Sequence, residues 1–176
     1  MIGSNRFCHF GEWSHRQAVS RRSTSSSDRW IARPAGPADR EAWEELFGGY
    51  CDFYERASTA ERRDRVWGWT QAGTICCLLA VPADSPDGGA VGLAHVRPCP
   101  SPLRGAMTGY LDDIFVTPEA RGTGAFEALM DGIRTSAVAE GWEVVRWITA
   151  SDNARARGAY ERVSTRTEWV TYQLDV

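Results

Sequence analysis

The chain has 176 residues and a mass of 19.5 kDa, with 43% hydrophobic, 11% aromatic and 24% charged residues and a formal net charge of −3. That is the length of one domain with a buried core, and the composition excludes collagen, coiled coil and wholesale disorder. The charge argues against a basic nucleic-acid binder, and no apolar run approaches the roughly 18 residues of a membrane helix.

Residues 1–28 differ from the rest: four Arg stand against Glu12 and Asp28, a charge of +2. The remainder carries 16 Arg against 21 acidic residues, a charge of −5. All 20 basic residues are Arg; there is no Lys. The Ser/Arg-rich stretch from Ser20 to Asp28 has nothing to bury. Residues 1–28 therefore read as a disordered extension without a secretory h-region, and 29–176 as the folded domain.

From Trp30, a short strand ends at Pro34. A helical pattern follows, with Trp43, Leu46, Phe47, Tyr50, Phe53 and Tyr54 at three- and four-residue steps and Asp39 as its N-cap. The pair Gly48-Gly49 is expected to kink or interrupt this helix. A second helix is expected from Thr59 to Trp69. The period then changes to that of strands at Thr74–Val81 and Ala90–Pro98, joined by the turn Pro82–Gly89. A Pro-punctuated loop over 98–107 precedes a third strand at Thr108–Thr117. The Gly-rich turn after it opens a helix in which Phe126, Leu129, Met130, Ile133 and Ala137 share a face, ended by Gly141. A strand at 143–150, a short helix after Asn153 and a final strand at 167–175 complete the series. Strands mixed with covering helices make a layered α/β fold.

The five cysteines are odd in number and contain no C-x-x-C pair, so they read as free thiols of a reducing, cytoplasmic compartment. Cys8, His9 and His15 match no zinc spacing, and no metal is expected. His95 reads as a packed or surface histidine.

The segment Arg121-Gly122-Thr123-Gly124-Ala125-Phe126 lies between a strand and a helix. A helix start leaves about four backbone N–H groups without intrahelical partners and carries positive potential. Glycines before it let the backbone approach an anion, so the turn can cradle a pyrophosphate. Neither a GxxxxGK[ST] P-loop nor a G-x-G-x-x-G fingerprint is present. Leu111-Asp112-Asp113-Ile114-Phe115-Val116 precedes the turn, and Ser151-Asp152-Asn153 through Tyr160 follows the next strand. Asp112 and Asp113 are adjacent in a strand, so only one should face a groove.

This ordered set resembles the GNAT acetyltransferase superfamily, most closely its diamine (spermidine/spermine) acetyltransferase-like branch. The resemblance implies a mixed, mostly antiparallel sheet of six or seven strands flanked by about four helices. It implies acetyl-CoA as co-substrate, with Ile114, Phe115 and Val116 along the pantetheine arm. Arg121, Gly122, Thr123, Gly124, Ala125 and Phe126 match the pyrophosphate loop, and Asn153 a contact to the cofactor arm. Tyr160 matches the general acid, and Asp112 the acidic residue that handles the amine. Phe126 departs from the family pattern, where a Gly or Ala stands, and Asp112 is one methylene shorter than the usual Glu.

The expected function is N-acetylation of a small primary amine (polyamine, diamine or amino-acid-like) by direct transfer in a ternary complex. The expected partners are that amine and a second copy of the chain in a homodimer, with no nucleic acid and no membrane. A protein N-terminal or lysine acetyltransferase, an aminoglycoside acetyltransferase and an acyl-CoA-binding module without transfer remain alternatives.

Overall fold

A computed structural model describes residues 29–176; the expected disordered extension, 1–28, lies outside the described residues. Five strands form one sheet in the order β1-β2-β3-β4-β5: β1 (Trp30–Pro34), β2 (Cys76–Pro82), β3 (Gly92–Ser101), β4 (Ala106–Val116) and β5 (Val145–Arg146). The first four pair antiparallel, and β5 runs parallel to β4 through Gly109↔Val145 and Tyr110↔Arg146. The α-helices are α1 (Arg40–Phe53), α2 (Ala60–Gln71), α3 (Ala125–Ala139) and α4 (Ala154–Tyr160).

Two apolar clusters lie on opposite faces of the sheet. On one face α3 places Leu129, Met130 and Ile133 against Leu78, Ala94 and Leu111. On the other, Trp43, Phe47 and Trp67 from α1 and α2 cover Leu79, Val81 and Leu93. Adjacent strand residues thus serve different clusters, which is why β2 is a continuous apolar run. Gly132 brings α3 close to β1, since a Cβ there would stand 2.6 Å from that of Ala32.

Several elements depart from the sequence reading. The Gly48-Gly49 pair does not interrupt α1. A Cβ at Gly49 would meet the Phe115 ring at 2.9 Å, so that glycine serves close packing rather than a break. The expected 98–107 loop is mostly strand: β3 and β4 stay paired to Ser101↔Ala106. Pro98 and Pro100 fit there because β2 pairs with β3 only as far as Cys76↔Val96, leaving one edge of β3 without a ladder beyond that point. The strand expected at 143–150 shrinks to two residues.

The final strand expected at 167–175 has no sheet partner, and Trp169, Val170, Tyr172 and Leu174 are all more than 70% exposed. Alternating apolar residues need a neighbouring strand edge, which this segment does not reach. The sheet among the described residues therefore has five strands rather than six or seven. Cys51, Cys77 and Cys99 are free thiols. Cys76 is disulfide-bonded, which corrects the reading of all five as free.

Asp39 stands at the N-cap position of α1, yet its carboxylate faces backward. It accepts from the Gly36 N–H at 2.7 Å and from both Nη atoms of Arg33, each at 2.7 Å. The Arg33 guanidinium holds this carboxyl below its usual 3.8 against the opposing effect of burial, with the Gly36 N–H assisting. A lowered folded-state pKa adds stability above the unfolded value, and that stability is lost as pH falls through the folded one. Asp39→Ala should therefore cost about 1–2 kcal/mol at neutral pH. Urea midpoints should show the difference from the parent shrinking as the pH drops below 3.8.

Candidate active site

The centre of β4 is irregular. His95 pairs with Asp113 and Val96 with Leu111, which leaves Asp112 without an opposite residue. Such a bulge inverts the in–out alternation beyond it. Leu111 before the bulge and Ile114 and Val116 after it all pack on the α3 side, while Phe115 joins the α1–α2 side. The expectation that only one of Asp112 and Asp113 faces a groove is thereby overturned, since both line the same cavity.

That cavity, of about 590 Å³, opens between α1, α2 and the β3–β4 hairpin. Its walls are Phe47, Tyr50, Tyr54, Val66, Trp69 and Ile75, with Arg56, Arg62 and Arg97 among its lining residues. A second cavity of about 370 Å³ lies between β4 and the segment after β5, lined by Leu111, Ile114, Trp147, Thr149 and Tyr160. The two share Tyr50, Tyr54 and Asp112. Asp112 therefore stands where the cavities adjoin.

Burial pushes the Asp112 carboxyl above its ordinary 3.8, while Arg97 opposes the shift. The Arg97 Nε lies 3.2 and 3.0 Å from its two oxygens, and the guanidinium also stacks over the Tyr110 ring. The Tyr160 hydroxyl is pushed up to about 12, chiefly by burial, so it keeps its proton throughout the physiological range. Its ring packs between Trp147, 5.4 Å away, and Phe126, 5.9 Å away. Asn153 caps α4 by accepting from the Ala156 N–H at 3.2 Å.

The turn before α3 presents backbone N–H groups without intrahelical partners. Gly122 (φ +76°) and Gly124 (φ +99°) occupy backbone conformations that L side chains avoid. Ala128 is the first α3 residue to bond back, to the Gly124 carbonyl at 3.0 Å. The N–H groups of Ala125, Phe126 and Glu127 therefore have no intrahelical acceptor. Thr123 is already engaged: its hydroxyl accepts from the Trp30 indole at 2.8 Å and donates to the Ala120 carbonyl at 2.6 Å. Arg121 donates through Nε to the Val116 carbonyl at 3.0 Å, fixing its guanidinium beside the turn. The Phe126 ring packs against the α3-side core and Tyr160 and lines neither cavity.

These features fit acetyl-CoA. The turn offers free N–H groups for a diphosphate, and the second cavity holds the hydroxyl of Thr149, which is buried without a hydrogen-bond partner. Among the described residues, no group of three or more His, Cys, Asp or Glu side chains could hold a metal ion, and no helix is long and apolar enough to cross a membrane.

His95 is the residue whose surroundings the sequence did not reveal. It is fully buried and lines the larger cavity. Its Nδ1 lies 2.7 Å from the Asp113 Oδ2, and its Nε2 accepts from the Trp43 indole N–H at 2.9 Å. Burial disfavours the imidazolium, but the neighbouring Cys77 and Asp113 outweigh it and push the ring up to about 10, a direction that the Trp43 contact opposes. The Trp43 contact decides the state, because an indole N–H can only donate and Nε2 must present a lone pair. The ring is therefore neutral, with its proton on Nδ1 donated to Asp113. Only the strand register places His95 opposite Asp113, and no local sequence signal carries that.

The match to the family model described as Acetyltransferase (GNAT) family spans residues 41–164. The D-amino-acid N-acetyltransferase HPA3 of Saccharomyces cerevisiae is 27% identical over 147 residues, covering 84% of this chain and 91% of that protein. Among solved structures, the ribosomal-protein-alanine N-acetyltransferase of Brucella melitensis biovar Abortus 2308 superposes with a TM-score of 0.71 at 21% identity, over 84% of this chain and 99% of that one. AAC(6')-Iy in complex with a bisubstrate analogue of CoA and acetylneamine gives 0.71 at 18% identity, over 84% and 98%. These relatives do not bear out the diamine branch. With the family model covering more than half of its length, the chain belongs to the GNAT acetyltransferase family.

Proposed function

We propose that the protein transfers the acetyl group of acetyl-CoA to a small, amino-acid-like primary amine, directly and within a ternary complex. The observation that carries this reading is the position of Asp112, shared between the Tyr160 cavity and the aromatic cavity. Acetyl-CoA supplies the activated acyl group, held by the turn Arg121–Phe126, the β4 segment Ile114–Val116 and Asn153. An alkylamine with a pKa near 10.4 is only about one part in 10³ neutral at pH 7, so its proton must be removed. Asp112, with its carboxyl raised by burial, accepts that proton. Backbone N–H groups freed by the bulge suit a developing oxyanion. Tyr160 holds a proton for the departing thiolate.

The lining of the larger cavity favours one kind of acceptor. Arg56, Arg62 and Arg97 repel a polycation and suit an anionic group beside the amine. The aromatic walls suit an apolar body, and the name of the yeast relative points the same way. Direct transfer is supported by the absence of any cysteine from the Tyr160 cavity among the described residues. The exposed apolar residues of 169–174 suit association with a second copy of the chain, which light scattering at several concentrations would detect.

An amine panel with acetyl-CoA, read by free thiol and mass spectrometry, tests the reading. Apolar amino acids should release CoA faster than polyamines, with intersecting double-reciprocal lines. Parallel lines would exclude the ternary complex. Retention of acetyl-CoA without amine-dependent release would identify a binding module.

A further inference from the structure

Asp112 and Asp113 line one cavity yet differ in what holds them. Asp112 has a cation, the Arg97 guanidinium, against both oxygens. Among the described residues, Asp113 has one hydrogen-bond donor, the His95 Nδ1–H at 2.7 Å, and no cation against its oxygens. A carboxylate offers about four lone-pair positions, so one donor leaves room for further ones. Its side chain is 21% exposed, so those positions are open to the cavity. Behind it, Trp43 fixes the tautomer of His95, so the imidazole always presents N–H to Asp113. Tyr50, on α1, forms part of both cavities.

We propose that Asp113, oriented by the Trp43–His95 pair, is the anionic anchor that draws the protonated amine into the aromatic cavity. Resting on the acetyltransferase reading of this site, the assignment divides the work between the two carboxylates. Asp113 attracts and orients the ammonium as a binding residue, and Asp112, where the cavities adjoin, removes its proton. His95 is a positioning residue: fully buried in the cavity wall, it acts on the amine through Asp113.

Binding can be separated from catalysis with two probes of one shape, 2-phenylethylamine and 2-phenylethanol, titrated calorimetrically into the full chain without acetyl-CoA. The parent should favour the ammonium probe by about tenfold or more, as expected for one charge-assisted hydrogen bond. Asp113→Asn should abolish that preference while leaving the affinity for the alcohol unchanged; Asp112→Asn should retain most of it. His95→Asn, which keeps an N–H towards Asp113, should preserve the preference, and His95→Leu should lose it. Nitrogen-15 NMR of the parent should show His95 protonated on Nδ1 alone. A preference that survives Asp113→Asn or disappears in Asp112→Asn overturns the assignment, as does loss in both histidine variants. Should Asp113→Asn fail to fold, the two histidine variants and the NMR signature carry the test. Failure of the amine panel with these binding results intact would refute acetyl transfer and leave the anchor standing.

Discussion

Tyr160→Phe is expected to lower kcat by about 10²–10³-fold, the scale on which a positioned general acid contributes. The substitution removes one hydroxyl and keeps the ring between Trp147 and Phe126, so packing should be retained. The apparent affinity for acetyl-CoA should stay within about twofold, because an interaction confined to the transition state affects kcat rather than ground-state binding. Steady-state thiol release at saturating amine separates the two parameters. Because burial holds the hydroxyl near 12, the parent should show no alkaline loss of activity from this group below about pH 10. An unchanged kcat would remove Tyr160 from the chemistry and leave it as a wall of the second cavity.

The largest expected effect on stability is at Trp43. This side chain is wholly buried, stacks on Phe47 at 5.0 Å with an interplanar angle of 11°, and lies 5.1 Å from Trp67. It also supplies the only polar hydrogen facing His95 Nε2 among the described contacts. Trp43→Ala should therefore cost about 3–5 kcal/mol from the cavity alone, a large part of a typical domain's total. The ring nitrogen left without its donor adds to that cost. Trp43→Phe keeps most of the packing and removes the N–H, so it should cost about 1–2 kcal/mol. Urea midpoints for the two variants divide packing from hydrogen bonding; equal losses would show that the indole N–H contributes little.

The sequence made the helices and the antiparallel strands legible because their apolar periods are local. Trp43, Leu46 and Phe47 share a face through helical spacing alone, and Leu129 and Ile133 do the same on α3. The glycine-rich turn before α3 was legible because glycine alone readily takes the positive φ that Gly122 and Gly124 adopt there. Three features were not. The bulge at Asp112 depends on how β3 and β4 slide against each other, which neither strand encodes by itself. The contact of His95 with Asp113 follows from that register and is invisible without it. The last segment, 167–175, has a strand's alternation, but alternation does not supply an edge to pair with. Asn153, read from the sequence as a cofactor contact, also caps α4 by accepting from the Ala156 N–H.

The irregularity in the fourth strand also sets a rule for changing the protein. Met107 and Leu111, at odd positions, belong with Ile114 and Val116, at even ones. A charge placed at successive positions should be worst tolerated at odd numbers before Asp112 and at even numbers after it, as a wave slips phase at a defect. Deleting Asp112 would restore a regular alternation while leaving Leu111, Ile114 and Phe115 on their present faces, so the extra residue serves the cavity and neither core. The length of this strand, counted to the residue, is thus as much a part of the site as any side chain on it.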